Sequence, residues 1–412
     1  MTPSEQFVFN LCRRSALSLW SYSNPRRPDG RELCDVLIAF DRSVVIFSVK
    51  DVALKEHADP GVAAKRWIRE AVEYSTRQLN GARRELGGMA HVVRHDGSDG
   101  VVLPPAEDRR VHLVAIAVGG NRRIPFAGGG NGSGSYVHVM DEEALRDILG
   151  ELDTAPDFLH YLETKEAFAG NIICEGEENL FALYLHRGRR LPNDVDMLFA
   201  EDGLWRQFQL KPEVLARKNE DQISYWWDRM IETFVSDYEV GLEAGPSPSE
   251  LERIVRTMAS EDRFSRRALS ASFLEWLRTK QAGARSMKSP SSKVGYVFGT
   301  FPRDWDREFR QTNMSARCFV ARSPAHLNCS TVVGLATEIY DPAGYSMDGV
   351  YLHMPGWAPG DDAIAAEAQQ RFGIMEDPAY RDLSMAEFPS ARRRLKTRSE
   401  RNREKRERRK RR

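Results

Sequence analysis

Residues 31–51 read Arg31-Glu-Leu-Cys-Asp35-Val-Leu-Ile-Ala-Phe40-Asp-Arg-Ser-Val-Val45-Ile-Phe-Ser-Val-Lys50-Asp51. Two apolar runs, Cys34–Phe40 and Val44–Lys50, flank Asp41-Arg42-Ser43, a break of hairpin length. The stretch predicts two adjacent antiparallel strands. Side chains alternate faces along a strand, so Ser48 and Lys50 share one face while Val49 points to the other. Asp35, early on the first strand after a polar turn, can face Lys50 across the pair. A carboxylate and an ammonium then meet at the end of an otherwise apolar sheet. Burying such groups is costly unless they pair or hold a metal. A salt bridge at a sheet edge is the plainer of the two expectations.

Upstream, Pro3-Ser4 offers a helix N-cap, Glu5 sits in the first turn, and Phe7, Val8, Leu11, Ser15 and Leu19 recur at helical spacing. Turn signals follow at Asn24-Pro25 and Pro28-Asp29-Gly30. Downstream, residues 62–86 predict a long amphipathic helix with Ile68, Val72, Ser75, Leu79, Ala82 and Leu86 on its apolar face. Arg110–Val118 and Tyr136–Met140 read as strands, and Asp141 caps a helix to about Leu149. The order α-β-β-α-β-β-α predicts a mixed sheet packed by helices over residues 1–185. Residues 186–290 read as mostly helical, anchored by Trp205, Trp226, Trp227 and Trp276. Gln281–Lys293 is rich in Ser, Gly and Lys and predicts a linker. Residues 291–385 predict a small α+β module with strand-like runs VGYVFGTF, ARCFVAR, STVVGLATEI and GVYLHM, closed by a helix Asp361–Phe372. Residues 386–412 read as a basic disordered tail.

The chain has 412 residues, 41% hydrophobic and 29% charged, enough to bury a core without disulfide or metal staples. The longest apolar stretch, Val111–Val118, is broken early by His112 and falls far short of the ~20 residues of a membrane span. The first residues, Met-Thr-Pro-Ser-Glu-Gln, lack the basic segment and apolar core of a secretory signal. Five scattered cysteines without a C-x-x-C pair argue against a disulfide framework or a structural zinc site of the usual spacing. A cytoplasmic protein without membrane contact is the expectation. The net charge is zero, yet residues 391–412 hold 14 Lys/Arg against three Glu, a net +11 that the remaining residues offset. That asymmetry predicts a polyanionic partner for the tail, bound by counterion release.

The 31–51 segment also resembles the restriction-endonuclease-like superfamily, the PD-(D/E)xK nucleases. In that fold an aspartate on the second strand and an acid-x-lysine element on the third form the site. The resemblance covers roughly residues 1–120 and implies an α/β fold with a restriction-endonuclease-like mixed sheet flanked by helices. It implies that Asp35 binds a divalent metal, that Lys50 positions or deprotonates the attacking water, and that the main-chain carbonyl of Val49 is a further ligand. Glu5 is the equivalent of the helix-borne acid that many members add. Hard oxygen ligands of this kind suit Mg²⁺ or Mn²⁺. The implied function is metal-dependent hydrolysis of phosphodiester bonds in DNA, in a bacterial restriction or phage-defence (antiviral) context. Residues 186–385 would then serve substrate recognition or a protein partner.

One departure matters. The usual acid two residues before the lysine is Ser48 here, and a serine hydroxyl is a poor metal ligand. Glu5, roughly 80° from the middle of its helix's apolar arc, can reach inward as a substitute. Gln78 borders the apolar face of helix 62–86 and is a candidate polar partner, whereas Glu70 and Glu73 point away. The alternative function is an inactive nuclease-fold module that binds nucleic acid or protein.

Other signals are weaker. Ala127–Ser135 is glycine-rich but lacks the lysine and helix start of a phosphate loop, so it reads as a surface loop. His91 and His95 are spaced i, i+4, but HVVRHDG looks extended; the nine histidines predict solvated or core roles. The tryptophans predict helix packing rather than base stacking. Ser330 lacks a G-x-S-x-G elbow, so nothing supports a serine hydrolase.

Overall fold

The hairpin forms. In the computed structural model, which describes residues 1–55, 57–120, 135–192, 194–240, 248–339, 346–375 and 385–388, helix α1 (Pro3–Trp20) leads into β1 (Ser21–Ser23), β2 (Val36–Phe40) and β3 (Ser43–Asp51). The cap of α1 is Thr2 rather than the Pro3-Ser4 position read from sequence. Its hydroxyl accepts from Glu5 N–H while the Glu5 carboxylate accepts from Thr2 N–H at 2.8 Å, a capping box that satisfies two end donors at once. Phe40 pairs with Ser43, so the loop is Asp41-Arg42, with Asp41 in the left-handed region at φ 53°. Such two-residue loops match the twist of the flanking strands, and aspartate tolerates that conformation.

The crossover from β3 is α2 (Pro60–Ile68), a π turn (Arg69–Glu73) and α3 (Tyr74–Leu86). Its buried residues are Trp67, Ala71, Ser75, Leu79, Ala82 and Leu86. Steps of four residues outrun the 3.6-residue turn, and the wide turn absorbs the excess. Ile68 and Val72, read as inward-facing, are corrected to partly buried positions beside that row.

A separate hairpin, β4 (His91–Val93) with β5 (Asp99–Val102), precedes β6 (Arg110–Val118) and β7 (Val137–Met140). The sheet order is β1-β2-β3-β6-β7, antiparallel across the first three strands and parallel from β3 onward. One face (Leu37, Val44, Ile46, Leu113, Ala115) packs on the α2–α3 crossover. The other (Val36, Ile38, Val45, Phe47, Val114, Ile116) packs on α1, α4 (Glu142–Glu151) and α5 (Ala155–Glu166). Both faces being covered explains why these strands read as continuous apolar runs.

A two-stranded parallel sheet follows, β8 (Asn171–Cys174) and β9 (Met197–Ala200), joined by α6 (Glu177–His186). Then come α7 (Leu204–Gln209), α8 (Pro212–Asp221), α9 (Tyr225–Val240), α10 (Pro248–Ala259) and α11 (Arg263–Arg278). The last sheet, in the order β10-β11-β12-β13, comprises β10 (Gly283–Lys288), β11 (Val294–Phe301), β12 (Thr331–Glu338) and β13 (Met347–His353). Helix α12 (Arg307–Arg322) crosses from β11 to β12, which run parallel, and α13 (Asp361–Phe372) closes the module.

Two expectations are corrected here. The linker read at Gln281–Lys293 contains β10, a half-exposed edge strand paired antiparallel with β11; an edge strand needs little apolar content, so its sequence gave no strand signal. ARCFVAR, read as strand-like, is the end of α12. Asp306 caps that helix by accepting from Phe309 N–H, and Arg310, Asn313, Met314, Cys318 and Ala321 form its buried helical row.

The tryptophans pack as expected. Trp227 meets Tyr296 edge-on at 5.2 Å, and Phe273 stacks on Phe298 at 4.6 Å. One apolar cluster therefore runs from α1 and the first sheet through α6–α11 to Tyr296, Phe298, Val333 and Leu335. The protein is mixed α/β, with mixed sheets flanked by helices. Among the described residues no helix is long and apolar enough to cross a membrane. The glycine-rich run Ala127–Ser135, apart from Ser135, and the basic tail from residue 389 lie outside the described residues.

Candidate functional site

Strand β2 begins only at Val36, so its pairing falls four residues short of the end of β3. The last β2–β3 pair at this end is Val36 with Phe47, so Ser48–Asp51 run on beyond β2, held by β6 alone. In the vacated place the Asp35 side chain takes over the pairing: its Oδ2 accepts from Val49 N–H at 2.5 Å. The N–H and C=O of one strand residue point to the same side, so the Val49 carbonyl faces the same edge as Asp35.

Asp35 is only 4% exposed. Burial raises its pKa to about 6, and Glu5 and Glu32 push the same way; the Val49 hydrogen bond and the nearby Lys50 ammonium pull against them. Lys50 and Glu5 are therefore within electrostatic reach of Asp35, and the contact that Asp35 makes directly is with the Val49 backbone. The plain Asp35–Lys50 salt bridge expected at this edge is not among the ion pairs of the described residues.

The remaining members come from both layers. Ser48, fully buried, donates from Oγ to Gln78 Oε1 on α3 at 3.2 Å, so Ser48 and Gln78 meet on the crossover side of the sheet. Glu5 comes from α1 on the other side, where its carboxylate also serves the Thr2 capping box. Ser4 Oγ donates to Asp51 Oδ2 at 2.6 Å and ties the start of α1 to the end of β3. Asp51 thus turns toward α1, away from the face of Ser48 and Lys50, as alternation requires. The arrangement offers one carboxylate with an uncommitted oxygen, a strand-end carbonyl, a second acid at the margin and one ammonium. That set of hard oxygens fits Mg²⁺ or Mn²⁺, with Asp35 and Val49 as its core and Glu5 dependent on leaving its cap.

Glu32 escaped the sequence reading because it lies three residues before Asp35 on a polar turn with no periodic pattern. His91, in β4, pairs with Asp99 at 2.8 Å across the hairpin, and His95 lies in the turn, so the two share no helix face. Sequence reasoning also missed a polar cluster inside the fold. His112 on β6 and His138 on β7 both hydrogen-bond Glu166 at the end of α5, three positions with no common spacing.

Comparison of the chain with protein-family models, with curated proteins and with solved structures finds no match.

Proposed function

We propose that the end of β2–β3 is a metal-dependent phosphodiester hydrolase site of the PD-(D/E)xK type, acting on DNA. The observation that carries this reading is the Asp35–Val49 hydrogen bond, which fixes a buried carboxylate beside a strand-end carbonyl and Lys50. Asp35 lies one residue before the second strand of the sheet, where the resemblance implies an aspartate on that strand, and Lys50 nears the end of the third. When bound, Mg²⁺ or Mn²⁺ would supply charge neutralisation at the phosphate and a lower pKa for water. Asp35, the Val49 carbonyl and Glu5 would hold it. Lys50, as an ammonium, would orient the attacking water, whose proton would pass to solvent, and its fixed charge would oppose the negative charge growing on the phosphate. Residues 389–412 would add sequence-independent contacts to the DNA backbone, and residues 186–385 would select the target or a protein partner.

A second reading has its own observation. Ser48 Oγ is spent on Gln78, and Glu5 is spent on the cap of α1. A chain so arranged would keep the fold and bind DNA without cutting it. Incubating the purified chain with supercoiled DNA and Mg²⁺ or Mn²⁺ separates the two. Nicking that EDTA stops and that Asp35→Asn and Lys50→Ala abolish supports hydrolysis. DNA binding without nicking favours the inactive module, and neither binding nor nicking removes both.

A further inference from the structure

His112, His138 and Glu166 come from three elements that only the tertiary fold brings together. His112 Nδ1 lies 2.8 Å and His138 Nε2 2.9 Å from the same oxygen, Glu166 Oε1. The three atoms all fall within 4.8 Å of one another. The two imidazoles are 1% and 0% exposed, and Glu166 is about a quarter exposed, so solvent reaches the trio from the carboxylate side.

Three features distinguish this cluster from ordinary core packing. First, both rings aim one nitrogen at a single carboxylate oxygen and leave the other nitrogen buried with no hydrogen-bond partner among the described residues. Each ring thus spends its hydrogen bond on that one shared oxygen. Second, the local charge invites a cation. The adjacent Lys165 ammonium is bound by Glu177, 2.6 Å from each carboxylate oxygen, so it forms no ion pair with Glu166 among the described residues. Third, the donor set is two imidazoles and a carboxylate. Zinc sites use these ligands at about 2.0–2.2 Å, which separates ligand atoms by roughly 3.3 Å in a tetrahedron. The two N–O distances fall about half an ångström short of that, and the two nitrogens lie within 4.8 Å of each other, so an ion would draw the rings together around it.

We propose that His112, His138 and Glu166 bind a divalent transition-metal ion of the zinc class. This site does not rest on the hydrolase reading and stands apart from it. His112 pairs in register with Val45 and Lys50 with Ala117, so five residues of β6, on the order of 16 Å, separate the two ends. The faces also differ: the trio lies on the α5 side and Ser48 and Lys50 on the α3 side. Imidazole nitrogens select zinc, cobalt or nickel over magnesium, so the two sites take different ions. The trio joins two parallel strands and a helix, and the ion would clip the β6–β7 edge of the sheet to α5. On binding, each ring would turn a lone pair to the ion and carry its proton on the far nitrogen, Nε2 of His112 and Nδ1 of His138.

The test uses the full chain, stripped with chelator and titrated with Zn²⁺ and Co²⁺ in excess Mg²⁺. Wild type and Asp35→Asn should each bind one ion per chain, give the visible bands of tetrahedral Co²⁺, and melt at a higher temperature with Zn²⁺. Nitrogen-15 spectra of the loaded chain should show each ring proton on the far nitrogen. Glu166→Gln keeps the shape and an acceptor for the rings, so it should fold. It should lose at least tenfold in affinity, together with the cobalt bands. His138→Gln, with its folding checked by circular dichroism, should do the same. Absence of stoichiometric binding to wild type overturns the proposal, as does unchanged binding by Glu166→Gln. So does loss of binding in Asp35→Asn, which would put the ion at the other end of the sheet.

Discussion

The carboxylate of Asp35 accepts a hydrogen bond from the backbone N–H of Val49 at 2.5 Å, where the ladder between their strands has already ended. The bond closes the sheet edge with a side chain in place of a backbone carbonyl. It leaves a carboxylate oxygen and a carbonyl side by side, and two of the predictions below follow from it.

Asp35→Asn keeps an acceptor for Val49 and removes a charge. The folded pKa, about 6, lies above the ordinary value of 3.8. Stability from this group is therefore fully present below about pH 4 and lost as pH rises through 6. Two units at 1.36 kcal/mol each set a ceiling of about 3 kcal/mol. In EDTA, Asp35→Asn should be more stable than wild type at pH 8, by up to that amount, and equal to it at pH 4. Urea melts at both pH values check this; an equal difference at the two would contradict it. Any metal-dependent nicking should vanish.

Ser48→Glu places the acid that the PD-(D/E)xK pattern expects at a fully buried position next to Gln78. Without metal the new carboxylate is unpaired and should lower the melting temperature. With Mn²⁺ the loss should shrink, because the ion binds only the folded chain. A variant whose melting temperature ignores Mn²⁺ would show that position 48 does not face a cation site.

Arg263 lies between two acids, with Nε 2.7 Å from Asp153 and Nη1 2.7 Å from Asp228. It is 5% exposed and also reaches Ser224. Arg263→Met removes the cation and leaves the acids in place, so it should cost about 3–5 kcal/mol in chemical denaturation. A loss under about 1 kcal/mol would mean that water compensates the acids.

The basic run follows a docked segment. Arg267 donates to the carbonyls of Ala386 and Glu387, Arg189 pairs with Glu387 at 2.9 Å, and the Arg217 guanidinium sits 5.1 Å from the Phe388 ring. Deleting residues 389–412 should leave the melting temperature unchanged and weaken DNA binding, with a shallower dependence on salt. Phe388→Ala should instead destabilise the fold by roughly 1–2 kcal/mol, below the range for a full core phenylalanine because the ring is only partly buried. Fluorescence anisotropy at two salt concentrations, alongside melting curves, checks both.

The sequence by itself determined the elements whose signals are local. The hairpin around Asp41, the strand Arg110–Val118 and the helix Asp361–Phe372 were legible because their apolar runs and turn residues are contiguous. The nearness of Asp35 to Lys50 was legible for the same reason, since alternation along two adjacent strands fixes it, whereas the Val49 carbonyl entered only through the family resemblance. Elements stabilised by distant partners were not. Strand β10 is held at a sheet edge by β11, and the end of α12 is an apolar run that its buried row, rather than its composition, makes helical. Only the tertiary structure decided that Asp35 bonds the Val49 backbone instead of Lys50, since that depends on where β2 begins. It alone brought His112, His138 and Glu166 to one point, because convergence across a parallel sheet and a helix has no period in the chain.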